Sequence, residues 1–91
     1  MKVRVHCLIS GRVQGVSFRF FTLEIAEKLN LMGWVRNLPD GRVELVVEGE
    51  ENSIEKFLRL LAKGPILSRV DKIKVEKEKY RGNFSGFKII D

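Results

Sequence analysis

Ninety-one residues supply one domain's worth of chain and leave no room for a second core. Seventeen Lys and Arg against twelve Asp and Glu give a net charge of +5, which favours anionic ligands by long-range steering without naming one. The lone cysteine, Cys7, excludes an intrachain disulfide and a thiolate-rich metal site, and no stretch reads as a secretory leader or a membrane span, so a reduced, cytoplasmic setting is the default expectation.

From Val3 to Ile9 apolar residues alternate, with Val3, Val5, Cys7 and Ile9 on one face and Arg4, His6 and Leu8 on the other. Period two predicts a strand, ending at Ser10. Gly11 to Ser17 breaks the pattern and reads as a loop. Phe21, Ile25 and Leu29, with Thr22 and Ala26 alongside, recur at helical spacing and predict an amphipathic helix from about Phe18 to Leu29. Ser17 suits its N-cap, and Asn30 the left-handed position after its last turn. Gly33 to Leu38 is a short strand, Leu38-Pro39-Asp40-Gly41 a turn, and Val43, Leu45 and Val47 mark the second arm of a hairpin. Asn52 with Glu55 resembles a capping box, and Ile54, Phe57, Leu58 and Leu61 predict a second helix stopped by Gly64-Pro65. Arg69 to Lys77 is a charged strand in which Val70 falls out of phase with Ile73 and Val75, as a bulge would cause. Phe84 to Ile90 is a short terminal strand.

The order β-α-β-β-α-β plus a short extra strand predicts an α+β, ferredoxin-like fold over residues 1–91, with two helices on one face of an antiparallel sheet. The fold by itself does not assign a function. It does make two distant segments converge, because the second strand runs parallel to the first and returns Asn37 to the edge that holds the Gly11–Ser17 loop. With one strand between them the two backbones stand roughly 10 Å apart, which leaves room for a phosphate and a water between Arg19 and Asn37.

The loop has the physics of an anion site. Gly11 and Gly15 remove side-chain obstruction, so successive N–H groups can turn inward as a nest, and the loop feeds a helix N-terminus whose free N–H groups and dipole favour negative charge. Arg19, in the first helical turn, adds a forked guanidinium that matches phosphate oxygens. A cation at that end of a helix is locally unfavourable by about 0.3–1 kcal/mol, a cost that a bound anion offsets. An ordinary strand-to-helix connection would also use these glycines, so the loop alone leaves both readings standing.

Ile9-Ser10-Gly11-Arg12-Val13-Gln14-Gly15-Val16-Ser17-Phe18-Arg19 resembles the first signature of the acylphosphatase family. Gly33-Trp34-Val35-Arg36-Asn37-Leu38-Pro39-Asp40-Gly41-Arg42-Val43, extending to Gly49, resembles its second. Together with length and element order the resemblance covers essentially the whole chain; the one departure is Ser17, where many members have glycine. It implies that Arg19 binds phosphate, that Asn37 orients the attacking water, and that the backbone amides of Gln14, Gly15, Val16, Ser17 and Phe18 complete the cradle. It further implies hydrolysis of small-molecule acyl phosphates to a carboxylate and inorganic phosphate without metal or cofactor; a monomer, with no nucleic-acid or membrane partner, is the expectation beside it.

The remaining reactive or aromatic residues are read structurally. His6 sits mid-strand away from the loop, and Cys7 shares the face of Val3, Val5 and Ile9. Phe18, Phe20 and Trp34 are expected to pack, and the Lys72–Lys79 run to form a solvated edge strand. Arg12, Arg36 and Arg42 are expected to raise the positive potential near the site. An RNA-binding domain of the same fold class is the main rival, but it wants exposed aromatics on its central strands. The presumed open face here carries Glu44, Val46 and Glu48 instead, and acidic residues repel phosphates. A phosphate-sensing regulatory module is the second rival.

Overall fold

The computed structural model describes residues 1–91. The alternating N-terminal segment forms β1 (Lys2–Arg12) and the amphipathic stretch forms α1 (Phe18–Lys28). The hairpin arms are β2 (Met32–Asn37) and β3 (Val43–Glu50), followed by α2 (Glu51–Lys63), β4 (Arg69–Glu78) and the short β5 (Phe87–Ile89). One sheet contains all five strands in the order β4-β1-β3-β2-β5. β1 is antiparallel to β3 and β4, and β2 is antiparallel to β3, as the ferredoxin-like plan requires. β5 instead lies parallel to β2, so the sheet is mixed rather than wholly antiparallel. The terminal strand can pair this way because the chain crosses from β4, at one edge, to the opposite edge before it enters.

Strand faces follow the alternation. Val5, Cys7 and Ile9 of β1, Val35 of β2, and Val43, Leu45 and Val47 of β3 point to the helices and are buried. They join Phe18, Ile25 and Ala26 of α1 and Ile54, Phe57 and Leu61 of α2 in one cluster of 17 buried residues. Full burial of such a side chain contributes about 1.5–3 kcal/mol, so this layer is the main source of stability.

Three local devices differ from expectation. Ser17 makes no side-chain cap bond; its backbone is left-handed at φ 63°, which turns its hydroxyl away from the N-cap geometry. Asn52 does not cap α2, which begins one residue earlier at Glu51, with Glu50 as an N-cap that forms no side-chain bond. β1 runs two residues beyond Ser10, to Arg12, because β4 continues to pair with it past a bulge. Ser10 faces Lys72 while Gly11 faces Val70, so Asp71 is the extra residue that puts Val70 out of phase. Gly11 has φ 129°, and a Cβ there would run into the Arg69 carbonyl oxygen. Asn30, by contrast, takes the left-handed position at φ 57°, and the Leu31 N–H closes onto the Ala26 carbonyl at 2.8 Å. This is the wrapped helix end that its residue type suggested.

The Arg4–Glu48 end of the sheet's second face is covered. The chain between β4 and β5 passes beneath it, and Glu48, 2% exposed, accepts hydrogen bonds from the Arg81 and Gly82 amides at 2.9 and 3.1 Å. Arg4 bridges Glu48 at 3.2 Å and Glu78 at 2.9 Å, and its guanidinium lies 5.0 Å over the Phe84 ring. Glu44 pairs with His6 at 2.7 Å and Arg36 at 2.6 Å. Neither acid is the free, phosphate-repelling charge that strand periodicity suggested. Alternation assigns a face, and only the crossing segment decides whether that face meets water.

Candidate active site

β3 alone separates β1 from β2, so the segment leaving β1 and the end of β2 meet at the same edge of the sheet. Asn37 is the last β2 residue paired with β3, opposite Val43, and it shares the helix-side face of Val35. Beside it, α1 begins where Val13, Val16 and Phe18 sink into the core and pull the intervening loop down onto the sheet end. The resulting open cleft of about 360 Å³ is lined by Gly15, Ser17, Arg19, Phe20, Asn37 and Ile89, with Val13 and Phe18.

The cleft is rich in uncommitted polar groups. The first helical bond of α1 runs from the Phe21 N–H to the Ser17 carbonyl at 3.0 Å, and no N–H from Gln14 to Phe20 enters a backbone–backbone hydrogen bond. Gly15 and Ser17 are both left-handed, at φ 73° and 63°, an alternation that suits a concave run of amides. A Cβ on Gly15 would meet no protein atom within 4 Å, so the glycine serves the backbone turn and leaves the adjoining space open. Arg19 is half-buried and has no carboxylate partner, and the first turn of α1 carries no acidic residue. The Oδ1 of Asn37 is buried and has no hydrogen-bond partner in the protein. An orphaned carboxamide oxygen of this kind costs about 1–3 kcal/mol, so it marks a position shaped for something other than stability.

The surrounding charges are mostly cancelled. Arg36 is held by Glu44 and Arg42 by Asp40, each at less than 3 Å, so neither adds the field expected of it. The Arg42 backbone N–H, followed by its side chain, holds the Asp40 carboxyl below the usual carboxylate range. Arg12 is exposed and stands beside Arg19 in carrying no ion pair. His6 points to the opposite face of the sheet, and burial pushes the Cys7 thiol up to about 12, so neither offers a base or nucleophile to the cleft. A larger cleft of about 460 Å³ opens at the other end of the sheet, lined by Lys2, Glu48 and Glu50 with no arginine.

The family model described as Acylphosphatase matches residues 5–89. The chain belongs to the acylphosphatase family. It is similar to the acylphosphatase of Syntrophobacter fumaroxidans, 49% identical over 88 residues that cover 97% of this chain and 91% of that relative. The crystal structure of acylphosphatase from Bacillus subtilis matches with a TM-score of 0.95 at 37% identity, covering 98% of this chain and 99% of that one. The HypF structure from T. kodakarensis matches at 0.85 and 40% identity, covering all of this chain but 12% of that one, so the same unit also occurs within a much longer protein.

The acylphosphatase fold brings Gly15, Ser17, Phe18, Arg19 and Asn37 into one cleft. Gln14 and Val16 were nominated for their backbone amides alone, and their side chains lie elsewhere. Val16 is 8% exposed and belongs to the core, and Gln14 sends its carboxamide to the hairpin. Phe18 packs as expected, whereas Phe20 is 58% exposed on the cleft rim, and Trp34 lies under Arg36 at 5.5 Å on the other face. Sequence reasoning missed Phe20 and Ile89. Phe20 falls off the apolar stripe of α1, which is a usable signal; Ile89 reaches the cleft only through the parallel pairing of β5 beside Val35, which nothing local announces.

Proposed function

We propose that this chain is an acylphosphatase that hydrolyses carboxyl-phosphate anhydrides of small molecules in the cytoplasm, as a monomer. The phosphoryl group lies in the loop, where the free N–H groups from Gln14 to Phe18 donate to its oxygens and the Arg19 fork grips two of them. The Asn37 carboxamide, in the wall of the cleft, hydrogen-bonds a water and turns its lone pair toward phosphorus. The reaction is R–CO–O–PO₃²⁻ + H₂O → R–COO⁻ + H₂PO₄⁻. Water forms the new P–O bond, the acyl P–O bond breaks with its electron pair going to the carboxylate, and the water's proton passes to a phosphate oxygen. The leaving carboxylate is a weak base, so no acid is needed to protonate it. A loose phosphoryl transition state needs chiefly positioning and electrostatic stabilisation.

The observation that carries this reading is the convergence of Asn37 and an unpaired Arg19 on one cleft beside the free amides of the loop. The acyl phosphate reading is preferred to RNA binding because Arg81, Gly82 and Phe84 cross the Arg4–Glu48 end of the sheet face on which bases would stack. The direct test is hydrolysis of benzoyl phosphate with inorganic phosphate as competitor. Arg19→Gln should cut turnover by ~10²–10³ and weaken phosphate inhibition together, on the scale of losing one preorganised charge contact. Unchanged phosphate affinity in a folded Arg19→Gln protein would remove Arg19 from the site.

A further inference from the structure

The Gln14 carboxamide spans the gap between the loop and the hairpin. Its Nε2 donates both hydrogens, to the Leu38 carbonyl at 2.8 Å and the Arg42 carbonyl at 2.9 Å. Those two carbonyls form the neck of the hairpin, immediately after Asn37. The hairpin closes without this help, since the Leu38 N–H reaches the Arg42 carbonyl at 2.8 Å and the Gly41 N–H reaches Leu38 at 3.2 Å. The loop is likewise anchored on its own, by Val13, Val16 and Phe18 in the core. No backbone–backbone hydrogen bond joins residues 13–17 to 38–42, because both segments lie beyond the ends of the paired strands.

We infer that Gln14 is a positioning residue: its side chain sets the distance between the phosphate loop and the Asn37 carboxamide, and so the approach of water to phosphorus. The inference rests on the acyl phosphate reading above. A displacement near 1 Å between reacting groups costs on the order of 10²-fold in rate, which a flexible two-segment site would suffer without a tie. A glutamine is suited to it because an NH₂ group offers two diverging donors and the target is two acceptors.

Gln14→Met keeps the length and removes both donors; Gln14→Glu places a carboxylate against two carbonyl oxygens. With benzoyl phosphate, Gln14→Met should lower kcat by ~10–100-fold while the inhibition constant of inorganic phosphate moves less than about threefold, since loop amides and Arg19 remain. In an Asn37→Ala background the same substitution should add almost nothing, because its effect passes through Asn37. Gln14→Glu should regain activity relative to wild type as pH falls and the protonated carboxyl donates one hydrogen; this profile decides the matter if Gln14→Met does not fold. Full kcat in Gln14→Met, an undiminished loss on top of Asn37→Ala, or a flat Gln14→Glu to wild-type ratio overturns the inference alone. Full kcat in Asn37→Ala by itself overturns the underlying mechanism as well.

Discussion

Asn37→Ala should move stability and activity in opposite directions. The side chain ends β2 on the helix face, and its Oδ1 is buried with no protein partner, so the folded chain carries an uncompensated desolvation cost of about 1–3 kcal/mol there. Truncation removes that cost and gives up the packing of a small amide group, about 0.5–1 kcal/mol. The net expectation is a variant at least as stable as wild type and up to about 2 kcal/mol more so. For a chain of this length that corresponds to as much as ~8–16 °C in Tm. On the proposed mechanism hydrolysis loses the group that aims the water, so kcat should fall by ~10²–10³ with phosphate inhibition nearly unchanged. Urea unfolding followed by circular dichroism, beside benzoyl phosphate turnover on the same preparation, reads both effects. A destabilisation above about 1 kcal/mol would show that Asn37 is a structural residue of the hairpin, contrary to the reasoning.

The covered face of the sheet makes two further predictions. Glu48→Ala leaves Arg4 with Glu78 as its one remaining carboxylate and takes the acceptor from the part-buried Arg81 and Gly82 amides, so unfolding free energy should drop by about 1–3 kcal/mol, with activity of the folded fraction retained because the cleft lies at the other end of β3; a loss below about 0.5 kcal/mol would mean that water replaces the carboxylate freely. Burial pushes the Glu44 carboxyl up, but hydrogen bonds from His6 and Arg36 outweigh it, and the net shift is downward. A carboxyl held below its unfolded value stabilises the fold above that value and ceases to do so as pH falls through the folded one. Unfolding free energy should therefore decline from near pH 4.3 downward, and Arg36→Met should flatten that limb; identical acid limbs in the two proteins would contradict the assignment.

Much of this protein is written locally. Alternation placed Val5, Cys7 and Ile9 on the core face, the Pro39-Asp40-Gly41 turn placed the hairpin, and Asn30 ended α1 by its own left-handed preference. Arg19 and Asn37 were legible because two signatures and the strand order returned them to one edge. Neighbouring residues govern such features, through steric limits on φ and ψ and through the periods of helix and strand. Pairings between residues far apart in the chain were decided otherwise. Only the folded sheet set β5 parallel to β2 with Ile89 at the cleft, bent Ser17 into a left-handed turn in place of a cap, and buried Glu48 against Arg4 and the Arg81 amide. It also spent Gln14 on the hairpin carbonyls. A side chain's type and position state what it can bond; which partner arrives depends on where the rest of the chain has been packed, and that is a property of the whole core.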